Sequence, residues 1–111
     1  MTSYLLDSDV LIWHLRGQLQ TRALVSSLVD SGKVGCSALS VTEILVGCRP
    51  HEEARTAAFL EGLVVYPVDR DIAAAAADYM RTFRRRGVTL DFVDAVIAAT
   101  AITLGLTLVT Y

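Results

Sequence analysis

"AVIAATAITLGLTLVTY", residues 95–111, carries no ionisable group before its terminal tyrosine, and the reading of these 17 residues decides the fold. A membrane-spanning helix needs about 20 mostly apolar residues. Here Gly105 interrupts the run, and Thr100, Thr103, Thr107 and Thr110 punctuate it. Glycine favours helix ends. The run therefore divides into a buried helix and a buried strand, "LTLVT", rather than one span. The mean hydropathy of +0.47 then reflects a large interior with no membrane segment.

The preceding residues, "LDFVD", set Asp91 and Asp94 at the opening of that helix. Asp91 takes the N-cap position, where a carboxylate satisfies free amides and complements the helix dipole. Further upstream, short apolar runs alternate with helical ones. Strands are expected over residues 3–7, in "KVGCSAL", in "VVYPV" and in "LTLVT". Helices are expected in "SDVLIWHL", "LQTRALVSSLVDS", "SVTEILVGC" with Ser40 as N-cap, "HEEARTAAFLEGL", the alanine-rich "DRDIAAAAADYMRTFRRR" and "LDFVDAVIAATAITL". Short strands separated by helices imply an α/β fold of three layers, with a mostly parallel central sheet flanked by helices.

The bulk properties narrow the function classes. The 111 residues suit one domain, and 53% hydrophobic with 20% charged residues is a foldable composition. A net charge of −2 gives no global basic field for nucleic acid, so an RNA partner needs a local patch. The start, "MTSYLLDSDV", has no basic region and places Asp7 inside its apolar part, unlike a secretory leader. Cys36 and Cys48 lack metal-type spacing and read as free thiols of a reducing, cytoplasmic setting.

Parallel sheets place sites at the carboxyl ends of strands and at the helix starts that follow. Most of the twelve acids read as surface there or elsewhere. Asp7, Asp9, Glu43 and Asp94 do not, because each has apolar neighbours on both sides or follows a strand end. Each has a capping explanation, including a capping box over Ser40–Glu43. Together they suggest an acidic pocket, and the chain's only lysine, Lys33, lies outside these motifs. Clustered carboxylates repel unless a cation sits among them. An all-oxygen set suits Mg²⁺ or Mn²⁺, and such ions commonly serve phosphodiester hydrolysis. "MRTFRRRG" brings Arg81, Arg84 and Arg85 to one helix face, either as dipole partners or as RNA-backbone contacts. Trp13 and Phe83 are expected in the core.

"YLLDSDVLIWHL", "SVTEILVG" and "DAVIAATAITLGLTLVT" resemble, in order, the three acidic motifs of PIN domains, and they span nearly the whole chain. The short form is most similar to VapC-type toxins of toxin–antitoxin pairs. The resemblance implies an endoribonuclease in which Asp7, Glu43 and Asp94 hold one or two Mg²⁺ or Mn²⁺ and cleavage leaves a 5′-phosphate. It implies that Asp9 and Thr110 orient ligands or water, that the chain forms a homodimer, and that a cognate antitoxin blocks the cleft. The family's fourth acidic or amide position falls just beyond the "LVT" strand, followed by a further helix and strand. The expectation is thus one domain over residues 1–111 lacking its C-terminal segment. A degenerate PIN-like binding module is the non-catalytic alternative. A haloacid-dehalogenase-like phosphatase shares Asp7-Ser8-Asp9 but needs a late lysine, and none follows Lys33.

Overall fold

The computed structural model describes residues 1–111. Four strands, β1 (Thr2–Leu6), β2 (Gly32–Ser37), β3 (Val64–Tyr66) and β4 (Thr107–Val109), form one sheet in the order β3-β2-β1-β4. All three pairings are parallel. Parallel neighbours require crossovers. Helices α1 (Ser8–Leu15) and α2 (Leu19–Ser31) join β1 to β2. A helix α3 (Ala38–Val46), a 3-10 turn (Pro50–Glu52) and α4 (Glu53–Glu61) join β2 to β3. Helices α5 (Arg70–Arg85) and α6 (Phe92–Leu104) carry the chain from β3, at one edge, to β4 at the other.

The two-residue period of β1 explains the layers. Tyr4 and Leu6 face α1–α4, packing with Val10, Leu11, Val25, Val34, Cys36 and Ile44. Leu5 faces the other way, against Ile97 and Ala101 of α6. Alanines let α5 and α6 approach closely, with Ile72 and Ala76 packed on Ala95, Val96 and Ala99. A sheet covered on both faces gives the expected three layers. Cys36 lies at the centre of the first, and burial pushes its thiol up to about 11. On the same side, the His14 ring stacks on Phe59 of α4, centroids 4.5 Å apart. Burial, and secondarily the Arg22 charge, holds this imidazole below its ordinary pKa.

Strand order places the site. The first two crossovers step from β1 to β3 in one direction, and β4 then pairs on the opposite side of β1. The crevice between the carboxyl ends of β1 and β4 is therefore the topological switch point. Because α6 runs through Gly105 directly into β4, its amino end lies at that same carboxyl edge. Gly105 closes α6 in the left-handed conformation (φ 68°), and the Leu106 amide donates to the Ala101 carbonyl at 2.8 Å.

Three expectations change. Ser40 is not the N-cap of α3: the helix starts earlier, and Ser37 caps it by accepting from the Leu39 amide at 3.1 Å. Sheet pairing of β2 ends at Ser37, so the helix begins as soon as the strand stops. Trp13 and Phe83 are not core residues; they are 42% and 39% exposed. The 95–111 run is less buried than expected: the last helix is buried on one side only, with Phe92, Ile102 and Leu104 reaching solvent, and in β4 Thr107 and Leu108 are exposed. No helix is long and apolar enough to cross a membrane.

Gly35 pairs with Val64 where β2 meets β3. A β-carbon there would overlap the Val64 carbonyl oxygen and lie 2.7 Å from Tyr66 Cε2. Gly35→Ala is expected to cost about 1–3 kcal/mol through forced backbone displacement. Urea unfolding checks this, and an unchanged midpoint would contradict the close strand approach.

Candidate active site

Asp7 ends β1 and caps α1. Its Oδ1 accepts from the Ser8 amide at 2.7 Å, and its Oδ2 accepts from the Thr110 hydroxyl at 2.9 Å. Its own amide donates to the Val109 carbonyl at 2.9 Å. One half-buried residue thereby holds β1, α1 and the end of β4 in register across the switch point.

Glu43 projects from α3, past its first turn. Its Oε1 accepts from the Ser8 hydroxyl at 2.6 Å, and Ser8 Oγ lies 2.8 Å from Ser40 Oγ. A serine has one hydroxyl proton. Since Ser8 gives its proton to Glu43, the Ser40 hydroxyl must donate to Ser8. The chain Ser40 to Ser8 to Glu43 orients the carboxylate from buried groups, because Ser8 and Ser40 are almost wholly inaccessible. These two serines were not singled out as functional from sequence. The only local signal was the position of Ser8 between two aspartates; the link to Ser40 depends on packing α1 against α3.

Asp91 caps α6 as expected, accepting from the amides of Val93 and Asp94 at 3.1 and 3.3 Å. Asp94 lies in the first turn, and its pKa is raised above the ordinary carboxylate value. Partial desolvation at the helix mouth is the largest cause, followed by the negative charges of Asp7, Asp91, Asp9 and Glu43. The candidate acids therefore share one electrostatic neighbourhood. They are less buried than their apolar sequence context suggested: Asp9, Glu43 and Asp94 are exposed and Asp7 is half-buried. Helix-start side chains project into the crevice even where their chain neighbours pack inward.

No three Asp, Glu, His or Cys side chains converge closely enough, as they stand, to form one ion site. The donor chemistry nonetheless fits a hard divalent cation. All the groups are oxygens, and no Lys or Arg is paired with them, since the two ion pairs are Arg55–Glu52 and Arg81–Asp78. Neither histidine joins the cluster. Asp94, Asp9 and Glu43 are exposed, so closure onto an ion needs side-chain rotation rather than opening of the core. Arg81, Arg84 and Arg85 lie exposed at the end of α5, with Arg81 bonded to Asp78. The loop through Gly87 joins that end to the start of α6.

The family model of the PIN domain matches residues 4–111. Ribonuclease VapC10 of Mycobacterium tuberculosis is 38% identical over 97 residues, covering 87% of this chain and 73% of that protein. Ribonuclease VapC19 of the same organism is 35% identical over 107 residues, covering 96% of this chain and 86% of that protein. A chain in the solved structure of a toxin–antitoxin complex from Klebsiella pneumoniae superposes with a TM-score of 0.83 at 25% identity, covering 96% of this chain and 84% of its own length.

Two outcomes are expected. A raised native pKa means that the folded protein binds the Asp94 proton more readily than the unfolded chain. Its contribution therefore favours folding at low pH and weakens as pH rises through the carboxylate range. In metal-free buffer, Asp94→Asn is expected to raise the urea midpoint at pH 7, an advantage that shrinks as pH falls through that range. A midpoint difference independent of pH would contradict the repulsion. Ser8→Ala strands the Ser40 hydroxyl and frees Glu43, so a loss of about 1–3 kcal/mol is expected in the same measurement.

Proposed function

This chain belongs to the PIN domain family, and we propose that it is a Mg²⁺- or Mn²⁺-dependent endoribonuclease, the toxin of a toxin–antitoxin pair. The observation that carries the proposal is the uncompensated oxygen cluster at the β1–β4 switch point, where desolvation first, and then the charges of four other carboxylates, raise the pKa of Asp94. Negative charge gathered without an internal counter-ion is costly unless a cation offsets it. Ribonuclease names among the relatives, and the toxin–antitoxin assembly of a solved neighbour, support the same reading.

In this reading Asp7, Glu43 and Asp94 hold the ion. When bound, it would supply an activated water and neutralise charge on the phosphoryl oxygens of an in-line displacement. The protein's part is positioning. Thr110 and the Ser8 amide fix Asp7, the Ser40–Ser8 hydroxyl chain aims Glu43, and Asp91 secures the helix start that presents Asp94. Asp9, in the first turn of α1, orients water or ligands at the rim. Arg84 and Arg85, with Arg81 beside them, meet the RNA backbone where α5 leads toward the cluster. A cognate antitoxin covers the cleft in a homodimeric, cytoplasmic protein.

Structured RNA incubated with Mg²⁺ or Mn²⁺ is expected to be cleaved internally, with loss of cleavage in EDTA. Asp94→Asn is expected to reduce the rate by more than about 100-fold, beyond the usual effect of losing an outer partner of a metal ligand. Binding to the folded state also raises stability. Divalent ion should therefore increase the wild-type Tm and have a much smaller effect on Asp94→Asn. Absence of both cleavage and the Tm shift would refute the metal-nuclease reading and favour a partner-binding module.

A further inference from the structure

Beside the carboxylate cluster, a cavity of about 430 Å³ opens between α1, α3 and the start of α4. Glu43 lines it, as do three arginines, Arg16, Arg49 and Arg55. Arg55 is committed to the scaffold, donating to the Leu15 carbonyl at 3.3 Å and pairing with Glu52 at 3.5 Å. Arg16 and Arg49 have no carboxylate partner: of the chain's two ion pairs, the one in this wall joins Arg55 to Glu52 and the other joins Arg81 to Asp78. The Arg16 guanidinium lies over the half-exposed Trp13, 5.4 Å from the ring centroid. The cavity wall thus carries two guanidinium groups without a carboxylate partner, one of them backed by Trp13 outside the lining, and Glu43 belongs both to this wall and to the carboxylate cluster.

We propose that this pocket seats the nucleotide next to the scissile phosphate, with Arg16 and Arg49 taking the oxygens of its phosphate. The inference rests on the ribonuclease reading and names a substrate subsite within it. A nucleic-acid strand repeats its charge at every nucleotide. A strand with one phosphate at the carboxylate cluster must place a neighbouring unit close by, and the pocket sharing Glu43 is the adjoining space. Guanidinium groups bind phosphate through paired donors. Single-stranded RNA also stacks its bases on aromatic or arginine planes. The Arg16 plane, backed by Trp13, offers that second chemistry, which an acidic peptide does not require. The patch differs from the α5 arginines: it approaches the cluster from the Glu43 side rather than the Asp94 side.

The test uses the 111-residue Asp94→Asn protein, in which cleavage is expected to be suppressed, and a fluorescein-labelled single-stranded RNA oligonucleotide in a salt series. Adding Arg16→Ala or Arg49→Ala is expected to weaken binding about tenfold at low salt and to reduce the salt slope by about 0.7 for each lost phosphate contact. Arg49→Lys should restore most of the slope, because the charge is kept. Lys33→Ala, at the amino end of the interior strand β2, removes equal charge and should leave binding unchanged. A second readout does not rely on arginine variants folding. Cys48 lines the pocket, whereas Cys36 is buried, so saturating RNA should slow maleimide labelling of Cys48 about tenfold. Unchanged affinity and slope in both arginine variants, or unprotected Cys48, would overturn the assignment. Poly-glutamate binding as tightly as RNA, with the same arginine dependence, would overturn it in favour of an acidic protein segment. Wild-type cleavage measured in parallel separates the failures. Cleavage dependent on Asp94, with binding independent of Arg16 and Arg49, removes the pocket alone; no cleavage and no RNA binding removes both readings.

Discussion

The bonds made by Asp7 tie the local architecture to the site. Its amide extends the β1–β4 pairing to the Val109 carbonyl, while its carboxylate receives the Ser8 amide and the Thr110 hydroxyl. These contacts join the last residue after one central strand to the first turn of a helix and to a residue 103 positions away. They place a negative charge where the strand order reverses. An asparagine could keep both contacts without that charge only by reversing one of them, its Oδ1 accepting from the Ser8 amide while its Nδ2 donates to the Thr110 hydroxyl. The structural role thus does not by itself require a carboxylate, whereas cation binding does.

That distinction governs the remaining acids. Asp91 is fully explained by two helix-start amides. Asp94 makes no comparable cap and sits in the potential of four neighbours. Glu43 is held by a buried hydroxyl chain rather than by a counter-charge. Such a chain fixes direction without neutralising, which preserves the negative potential for a cation. Fixed orientation of a metal ligand by buried hydrogen-bonding groups is a general way of tuning a metal site. The cost is electrostatic stress among the unpaired acids, relieved by protonation and, in the proposed reading, by an ion.

Much of this architecture is legible along the chain because it depends on local periodicity. The four strands, the stop at Gly105 and the cap at Asp91 all follow from residues within one turn or one strand. Ser40 was misread for an instructive reason. "SALSVTE" offers two serines, and the pattern Ser40–Glu43 matches a capping box, but sheet pairing releases the chain at Ser37 and the helix starts there. Ser40 then becomes a buried link to Ser8, 32 residues away, a contact no local pattern encodes. Exposure of Trp13 and Phe83 was hidden similarly, since an aromatic side chain in a helix shows its type but not its face. The acids were traceable as a group because several charges in apolar context need a common explanation, while their actual exposure depends on the crevice formed by distant elements.

An acidic centre in a chain of net charge −2 poses a physical problem for any polyanionic substrate. A strand approaching the carboxylates is repelled over about one Debye length, roughly 8–10 Å in ordinary salt. A bound divalent ion offsets the repulsion only at the centre. The approaches must carry their own cations, and the fold supplies them on two sides. Arg16 and Arg49 border Glu43 without anionic partners, while Arg84 and Arg85 end α5 ahead of the loop leading to Asp94. Net charge therefore says little about nucleic-acid affinity here. In the proposed reading, positive potential confined to the flanks guides a strand across the acids, and acids left unpaired between those flanks select the position at which a cation and a phosphate would meet.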